Sequence, residues 1–395
     1  MSPGVMPHYP FLIVGGGMTA DAAVKRIRTF NASDAIGIIS GEAHPPYNRP
    51  PLSKALWKGE PLEKIWRGTP TENVSLVLSR TAISLDPLKK VVLDDAGGTS
   101  SYGKLLLATG GRVRRLPFDV EGIIYFRTLD DYQNLRILAD RGKSFVVIGG
   151  GFIGSEIAAA LALNGKTVTE IFPESGIGAR VYPPRLSQFL NEFYRSKGVT
   201  VLASSSVAGI ERRNSAYVVK TAEGSELEAE CVVAGIGIQP NQEIAQSAGL
   251  EVGNGIVVDE YLRTTQPDIY AAGDVANFYS GALEKRIRVE HEDNANMMGE
   301  NAGSNMAGQS IPYRHLPFFY SDLFDLGYEA VGELDARHQI VEEWKDEFRE
   351  GIVYYLNEGR VRGVLLWNTW GQVDAARALI ADKGPFTPQN VKGRL

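Results

Sequence analysis

Two glycine-rich stretches constrain the fold of this chain more than any other feature. Gly15-Gly16-Gly17-Met18-Thr19-Ala20 follows the apolar run Phe11-Leu12-Ile13-Val14, and Gly149-Gly150-Gly151-Phe152-Ile153-Gly154 follows Phe145-Val146-Val147-Ile148. Short apolar runs that end in glycine read as buried strands. After each turn a helical pattern continues, to about Phe30 and to about Asn164, and a second apolar run follows at Ala35 to Ser40 and at Thr167 to Phe172. The turns fit G-x-G-x-x-A and G-x-G-x-x-G in the strand–turn–helix setting that gives the pattern its meaning. Gly15 and Gly149 permit the tight turn, and Gly17 and Gly151 let the backbone approach a pyrophosphate. Ala20 and Gly154 let helix close on strand. The free N–H groups at the helix start then hold phosphate charge. The expected class is α/β, with two Rossmann-like dinucleotide-binding domains and a further α+β domain.

A carboxylate just past the second strand of such a unit accepts hydrogen bonds from ribose hydroxyls and repels a 2′-phosphate. Glu174, in Ile171-Phe172-Pro173-Glu174, holds that place in the second unit and favours NADH. Arg180 is close by and is a residue type that accommodates a 2′-phosphate, so NADPH stays open as the less favoured donor. In the first unit Gly41 and Glu42 both fall near the strand end, and Glu42 is expected to meet the ribose.

A chain of 395 residues is too long for one hydrophobic core. The expected division is a discontinuous first domain (1–113 with 241–315), a second domain (114–240) and a C-terminal α+β domain (316–395). The last contains a hairpin of Gly351 to Leu356 and Arg360 to Trp367, then a helix from Ala375 to Lys383 and an irregular tail from Thr387. A net charge of −6 gives no global footprint for nucleic acid. The stretch Met1 to Pro10 has neither the charged nor the apolar region of a signal peptide, and no apolar run is long enough to span a membrane. The expected location is therefore cytoplasmic. Cys231 is the single cysteine and lies in the apolar run Cys231-Val232-Val233-Ala234, so neither an internal disulfide nor a Cys-x-x-Cys pair can form.

Four further segments carry a more specific likeness: Tyr47-Asn48-Arg49-Pro50-Pro51-Leu52-Ser53-Lys54, Leu107-Ala108-Thr109-Gly110-Gly111, Ile269-Tyr270-Ala271-Ala272-Gly273-Asp274 and Val289-Glu290-His291-Glu292-Asp293-Asn294-Ala295. With them the chain resembles FAD-dependent pyridine-nucleotide reductases of the glutathione-reductase fold. Within that group it is similar to ferredoxin reductases of oxygenase systems and to apoptosis-inducing factor. The resemblance implies FAD on the first unit and NADH on the second. It implies that Asp274 binds the ribityl hydroxyls, that Arg49, Pro50 and Arg114 lie beside the flavin, and that Thr109 and Gly110 close the FAD site. Ala82 and Gly237 complete the expected cofactor contacts. Glu290 and His291 match nicotinamide- and flavin-side residues, and Phe152 matches an aromatic that stacks on the flavin. Lys54 is implied to lie near flavin N5, held by Glu156, and these two are the candidate catalytic residues. Asn294 to Ala307 reads as a helix. Tyr320 stands where relatives usually carry tryptophan.

Disulfide reductases of this fold need a cysteine pair shortly after the first unit, and Ser40 to Lys54 has none. Electrons are therefore expected to leave directly from the flavin. No Cys/His cluster has metal-ligand spacing, so no metal is expected. The expected activity is NADH-dependent reduction of a ferredoxin- or rubredoxin-like carrier, by a monomer or a redox-dependent homodimer. The alternative is a slow flavoprotein, like apoptosis-inducing factor, whose partner binding depends on redox state. Arg112-Val113-Arg114-Arg115, or Lys58, Lys64 and Arg67, are the candidate cations for docking an acidic partner.

Overall fold

The first glycine turn lies in a seven-stranded sheet. Its parallel strands run in the order Val74–Val77, Ile36–Ile39, His8–Val14, Thr99–Leu107, and Ile269–Ala271 also pairs with the last of these. The antiparallel strands Val91–Asp94 and Ala82–Asp86 extend the sheet from Thr99–Leu107. This computed structural model describes residues 6–71, 73–118 and 120–395, and the first five residues of the N-terminal stretch read above lie outside them. Strands buried on both faces read as continuous apolar runs. Leu12, Ile13, Ile36, Leu105 and Leu106 are fully buried here, with Val24 and Ile27 of the helix Met18–Phe30 packed over them. The helix Glu292–Met306 lies against Met18–Phe30 through Gly299 and Gly303. A Cβ on these two glycines would stand 2.4 Å from the Thr19 carbonyl oxygen and 2.6 Å from that of Ala23, so only glycine allows this approach.

By its internal contacts the chain divides into two units. One comprises Met1–Asn48, Glu63–Arg112 and Gln239–Pro317, and the other Arg49–Leu62, Val113–Ile238 and Phe318–Leu395. The expected division gave 316–395 a domain of its own. By contacts, Phe318–Leu395 shares a unit with the second glycine turn: Tyr355 donates to the Val181 carbonyl at 2.6 Å, and Ser321 to Glu156 at 2.6 Å. The segment Arg49–Leu62 joins the same unit.

In the second unit five parallel strands run in the order Val199–Leu202, Thr167–Ile171, Ser144–Ile148, Cys231–Ala234, Ile124–Tyr125. The helix Leu129–Arg141 opens with a capping box in which Thr128 and Asp131 serve each other's backbone N–H. A separate antiparallel sheet is built in the order Phe318–Leu323, Leu326–Gly332, Arg360–Trp367, Glu350–Asn357, Gln339–Asp346. Its expected hairpin turns at Glu358 and Gly359, with φ of 52° and 71°. Two positive φ values match the twist of the flanking strands. The final helix is Val373–Ala381, two residues earlier than expected. The tail is not irregular: Thr387 and Asn390 form a capping box on the short helix Pro388–Val391. Among the described residues no helix is long and apolar enough to cross a membrane.

Candidate functional site

The two glycine turns have matching geometry. Gly15 has φ of 114° and Gly149 of 118°. A Cβ on Gly15 would lie 2.1 Å from the Ala108 carbonyl oxygen, and one on Gly149 would lie 2.5 Å from that of Gly235. The middle glycines are needed as well, which the motif alone did not reveal. A Cβ on Gly16 would meet Ser40 Oγ at 2.4 Å, and one on Gly150 would meet the Phe172 ring at 2.6 Å. A Cβ on Gly17 or Gly151 would meet no protein atom within 4 Å. These residues start helices that have no side-chain cap, so the first-turn N–H groups are available as donors. Both turns therefore fit a diphosphate.

The turns differ in one respect. The first carries alanine at positions 20 and 108, and the second carries glycine at 154 and 235. A Cβ on Gly154 would lie 1.8 Å from the Gly149 carbonyl oxygen, and one on Gly235 would lie 2.8 Å from the Gly154 nitrogen. Three glycines thus exclude one another's side chains. Gly235 is a residue that sequence reasoning missed.

Glu42 stands three residues past the strand end at Ile39, and Glu174 three past Ile171. Tyr47 donates to Glu42 Oε2 at 2.6 Å. Arg180 pairs with Glu174, but its own side chain is 82% exposed. A pair so open to water is worth about 0–1 kcal/mol, too little to withdraw Glu174 from a ribose.

In the first unit, Asn241 fixes the Thr109-Gly110 turn. It accepts from Thr109 Oγ1 at 2.7 Å through its carbonyl, donates from its side chain to the Thr109 carbonyl at 2.9 Å, and donates its N–H to Gly110 at 3.0 Å. Gly273 needs its φ of 77° and its lack of a side chain, since a Cβ would meet Thr19 Oγ1 at 2.4 Å. That places Asp274 beside the first helix. Arg288, also missed, joins two expected residues: it donates to the Asp274 carbonyl at 3.0 Å and pairs with Glu290 at 2.7 Å. His291 precedes the helix Glu292–Met306 as its N-cap. Burial of its ring pulls the imidazole down to about 4, against the opposing carboxylates of Asp274 and Asp293, so it is neutral at pH 7. Ala82 begins an edge strand and packs against the core.

In the second unit, Lys54 Nζ lies 2.7 Å from Glu156 Oε1, with the two side chains 12% and 2% exposed. Ser53 donates to Glu156 Oε2 at 2.5 Å and Ser321 to Oε1 at 2.6 Å. The Lys54 ammonium also lies 5.4 Å from the centre of the Tyr320 ring, a weak cation–π approach. Pro50 starts the short 3₁₀ turn Pro50–Ser53, where its fixed φ suits the first position, and Arg49 donates to the Arg127 carbonyl at 3.1 Å. Phe152, first in the helix Phe152–Leu163, packs at 5.3 Å on Phe319. Arg114 and Gly237 meet through the backbone, Arg114 N–H to Gly237 carbonyl, at 2.9 Å. The Arg114 side chain turns to the Ile238 carbonyl at 3.2 Å.

The candidate docking cations are mostly engaged within the chain. Arg67 pairs with the buried Asp21 at 2.6 Å, Lys58 with Asp322 at 3.0 Å, and Arg112 with Glu243 at 2.6 Å. Glu333, Asp335 and His338 bring their ligand atoms within 4.8 Å of one another. Arg362 already pairs with Glu333, and Arg337 grips Asp335, holding its carboxyl down at about 2. The thiol of Cys231 is buried and pushed up to about 12.

A family model described as pyridine nucleotide-disulphide oxidoreductase matches residues 9–299. One described as the C-terminal region of mitochondrion-associated apoptosis-inducing factor matches 302–345 and 335–382. The chain belongs to the pyridine nucleotide-disulphide oxidoreductase family. It is 34% identical to mitochondrial apoptosis-inducing factor 1 of Dictyostelium discoideum, over 94% of this chain and 78% of the relative. It is also 34% identical to the ferredoxin reductase subunit of 5,5′-dehydrodivanillate O-demethylase from a Sphingobium species, over 95% and 94%. Among solved structures, the reductase in a covalent putidaredoxin reductase–putidaredoxin complex superposes with a TM-score of 0.90 at 30% identity, covering 97% of this chain and 95% of the other.

Proposed function

We propose that this chain is an FAD-dependent NADH oxidoreductase that passes electrons singly to a ferredoxin- or rubredoxin-like carrier in the cytoplasm. The observation that carries this reading is the state of Cys231. The family takes its name from disulphide chemistry, yet this chain has one cysteine, buried and with its thiol held protonated. A redox disulfide has no second sulfur here, so electrons must leave by another route. The names of relatives that act on ferredoxin and putidaredoxin support a one-electron protein acceptor.

FAD, when bound, supplies a centre that accepts two electrons as hydride and releases them one at a time. In the assignment we favour, Gly15, Gly17, Ala20 and Glu42 hold its adenosine diphosphate, and Asp274, Thr109 and Gly110 its ribityl end. Ala82, Arg49, Pro50, Arg114, Glu290, His291 and Tyr320 complete its surroundings. Gly149, Gly151, Gly154 and Glu174 hold NADH, with Arg180 and Gly237 at the margin, and Phe152 is the aromatic for the flavin. This keeps 1–113 with 241–315 for FAD and 114–240 for NADH. Lys54, fixed by Glu156, presents a cation where negative charge develops as hydride arrives. His291 is neutral, so it brings polarity to the start of its own helix without a charge.

Steady-state kinetics with candidate ferredoxins and rubredoxins test this reading. Efficient oxidation of NADH with at least one carrier, unchanged in Cys231→Ala, is the expected result. Failure of every carrier beside rapid bleaching of the flavin by NADH counts against it. A second reading draws on the C-terminal match to apoptosis-inducing factor: a slow flavoprotein whose NADH-reduced form changes its partner or dimer state. It expects a change of mass by light scattering on adding NADH without oxygen.

A further inference from the structure

Glu156 is a buried carboxylate that meets three donors from separate chain segments. Lys54 and Ser321 both point at Oε1, at 2.7 and 2.6 Å, while Ser53 alone serves Oε2, at 2.5 Å. Ser53 is 5% exposed and Ser321 1%. A carboxylate taken out of water favours its neutral form unless hydrogen bonds and positive charge favour the anion. A neutral Glu156 would no longer fix the Lys54 ammonium.

We propose that Ser53 and Ser321 are positioning residues for Lys54, acting through Glu156. Each hydroxyl donates to one carboxylate oxygen, so the aim of the carboxylate toward Lys54 is set. This rests on the reading that Lys54 assists hydride transfer. The two serines are not equivalent. Without the Ser321 hydroxyl, Oε1 still has Lys54; without the Ser53 hydroxyl, Oε2 has no hydrogen-bond donor among the described residues.

The other titratable groups around Glu156 do not replace these donors. Tyr182, Tyr194 and Tyr328 are each raised, first by burial and then in part by the Glu156 charge, and stay neutral. Glu170 faces the neighbouring Ser155 from the strand Thr167–Ile171, and burial pushes it up to about 8, so it too is neutral at pH 7. The charged partner facing Glu156 is Lys54.

The test reads the Glu156 carboxyl directly, by carbon NMR of the holoenzyme labelled at glutamate, with the signal assigned from Glu156→Gln. Alongside it, the rate of flavin bleaching by NADH is followed against pH. Ser53→Ala should move the acid limb of the rate profile to higher pH. At fixed pH near that limb its kcat should fall about tenfold, with the NADH KM little changed. Ser321→Ala should give a smaller shift in the same direction. Ser53→Thr, which keeps a hydroxyl, should restore the parental profile, and it serves as the folding control. The proposal is overturned if Ser53→Ala titrates like the parent, or if Ser321→Ala has the larger effect. If Ser53→Ala does not fold, an unshifted Glu156 in Ser321→Ala overturns it. A chain whose flavin NADH does not bleach would sink the proposed function, while the carboxyl titration would still decide the role of the serines.

Discussion

Lys54 and Glu156 form a 2.7 Å ion pair in which both side chains are largely withdrawn from water. Removing one partner of such a pair leaves the other charge buried, at a cost of about 3–5 kcal/mol. On the proposed reading it also removes a charge placed for chemistry, which typically costs about 10²–10³-fold in rate. Lys54→Ala and Glu156→Ala should slow flavin bleaching by NADH by about 10²-fold, measured by stopped-flow absorbance. FAD should stay bound in the purified variants, because the glycine cradle is untouched. An unchanged rate would take Lys54 out of the mechanism.

The glycine turns give a paired prediction. Gly151→Ala adds a methyl that meets no protein atom, so the thermal midpoint should hold while the dissociation constant for NAD⁺ rises. Gly154→Ala adds a methyl 1.8 Å from the Gly149 carbonyl oxygen and should destabilise the fold by about 2 kcal/mol. Calorimetry with a nucleotide titration separates the two. Equal losses of stability would contradict the geometry.

Nucleotide choice should turn on Glu174. Glu174→Ala removes the proposed acceptor for ribose hydroxyls and its repulsion of a 2′-phosphate, and takes away the carboxylate partner of Arg180. The ratio of kcat/KM for NADH over NADPH should fall at least about tenfold, which is about 1.4 kcal/mol. Arg180→Ala alone should leave NADH kinetics near the parent value. A ratio that does not move in Glu174→Ala would mean another residue reads the ribose.

Glu170 gives the fold a pH dependence. It is fully buried, takes one hydrogen bond from Ser155 at 3.1 Å, and has no hydrogen-bond partner at Oε2 among the described residues. Burial raises it from 4.5 to about 8. The folded state therefore favours the protonated form. Its contribution is present at low pH and is lost as pH rises from the ordinary carboxylate range through about 8. The full span is on the order of 5 kcal/mol. Glu170→Gln, which keeps the shape without the proton, should flatten the decline of unfolding free energy between pH 5 and about 8. Denaturant titrations across that range would show it, and parallel curves for parent and variant would rule it out.

What could be read in the sequence was local. The two turns, the carboxylates three residues past each strand and the Glu358-Gly359 hairpin all declare themselves within a few residues. The missed groups depend on distant partners. Ser53 and Ser321 lie 103 and 165 residues from Glu156, and no spacing rule links them. Gly235 and Arg288 matter only because of what stands opposite them in space. The docking cations were visible as charge, but Asp21, Asp322 and Glu243, which neutralise several of them, come from other segments. The tail was misjudged for a different reason. Its capping box uses asparagine in place of the usual glutamate or glutamine, so the local signal was weaker than the structure it makes.

The ring of Gly149, Gly154 and Gly235 has a consequence for how such a chain can change over time. Each of the three blocks a side chain on the next, so relief at one does not release the others. The first turn, with alanine at 20 and 108, shows that a looser arrangement is viable. Single-step drift is therefore costly at the second turn, by about 2 kcal/mol. Diversity in nucleotide choice must be explored at its rim, around Glu174 and Arg180, and libraries built to retune this protein should randomise those positions and hold the three glycines constant.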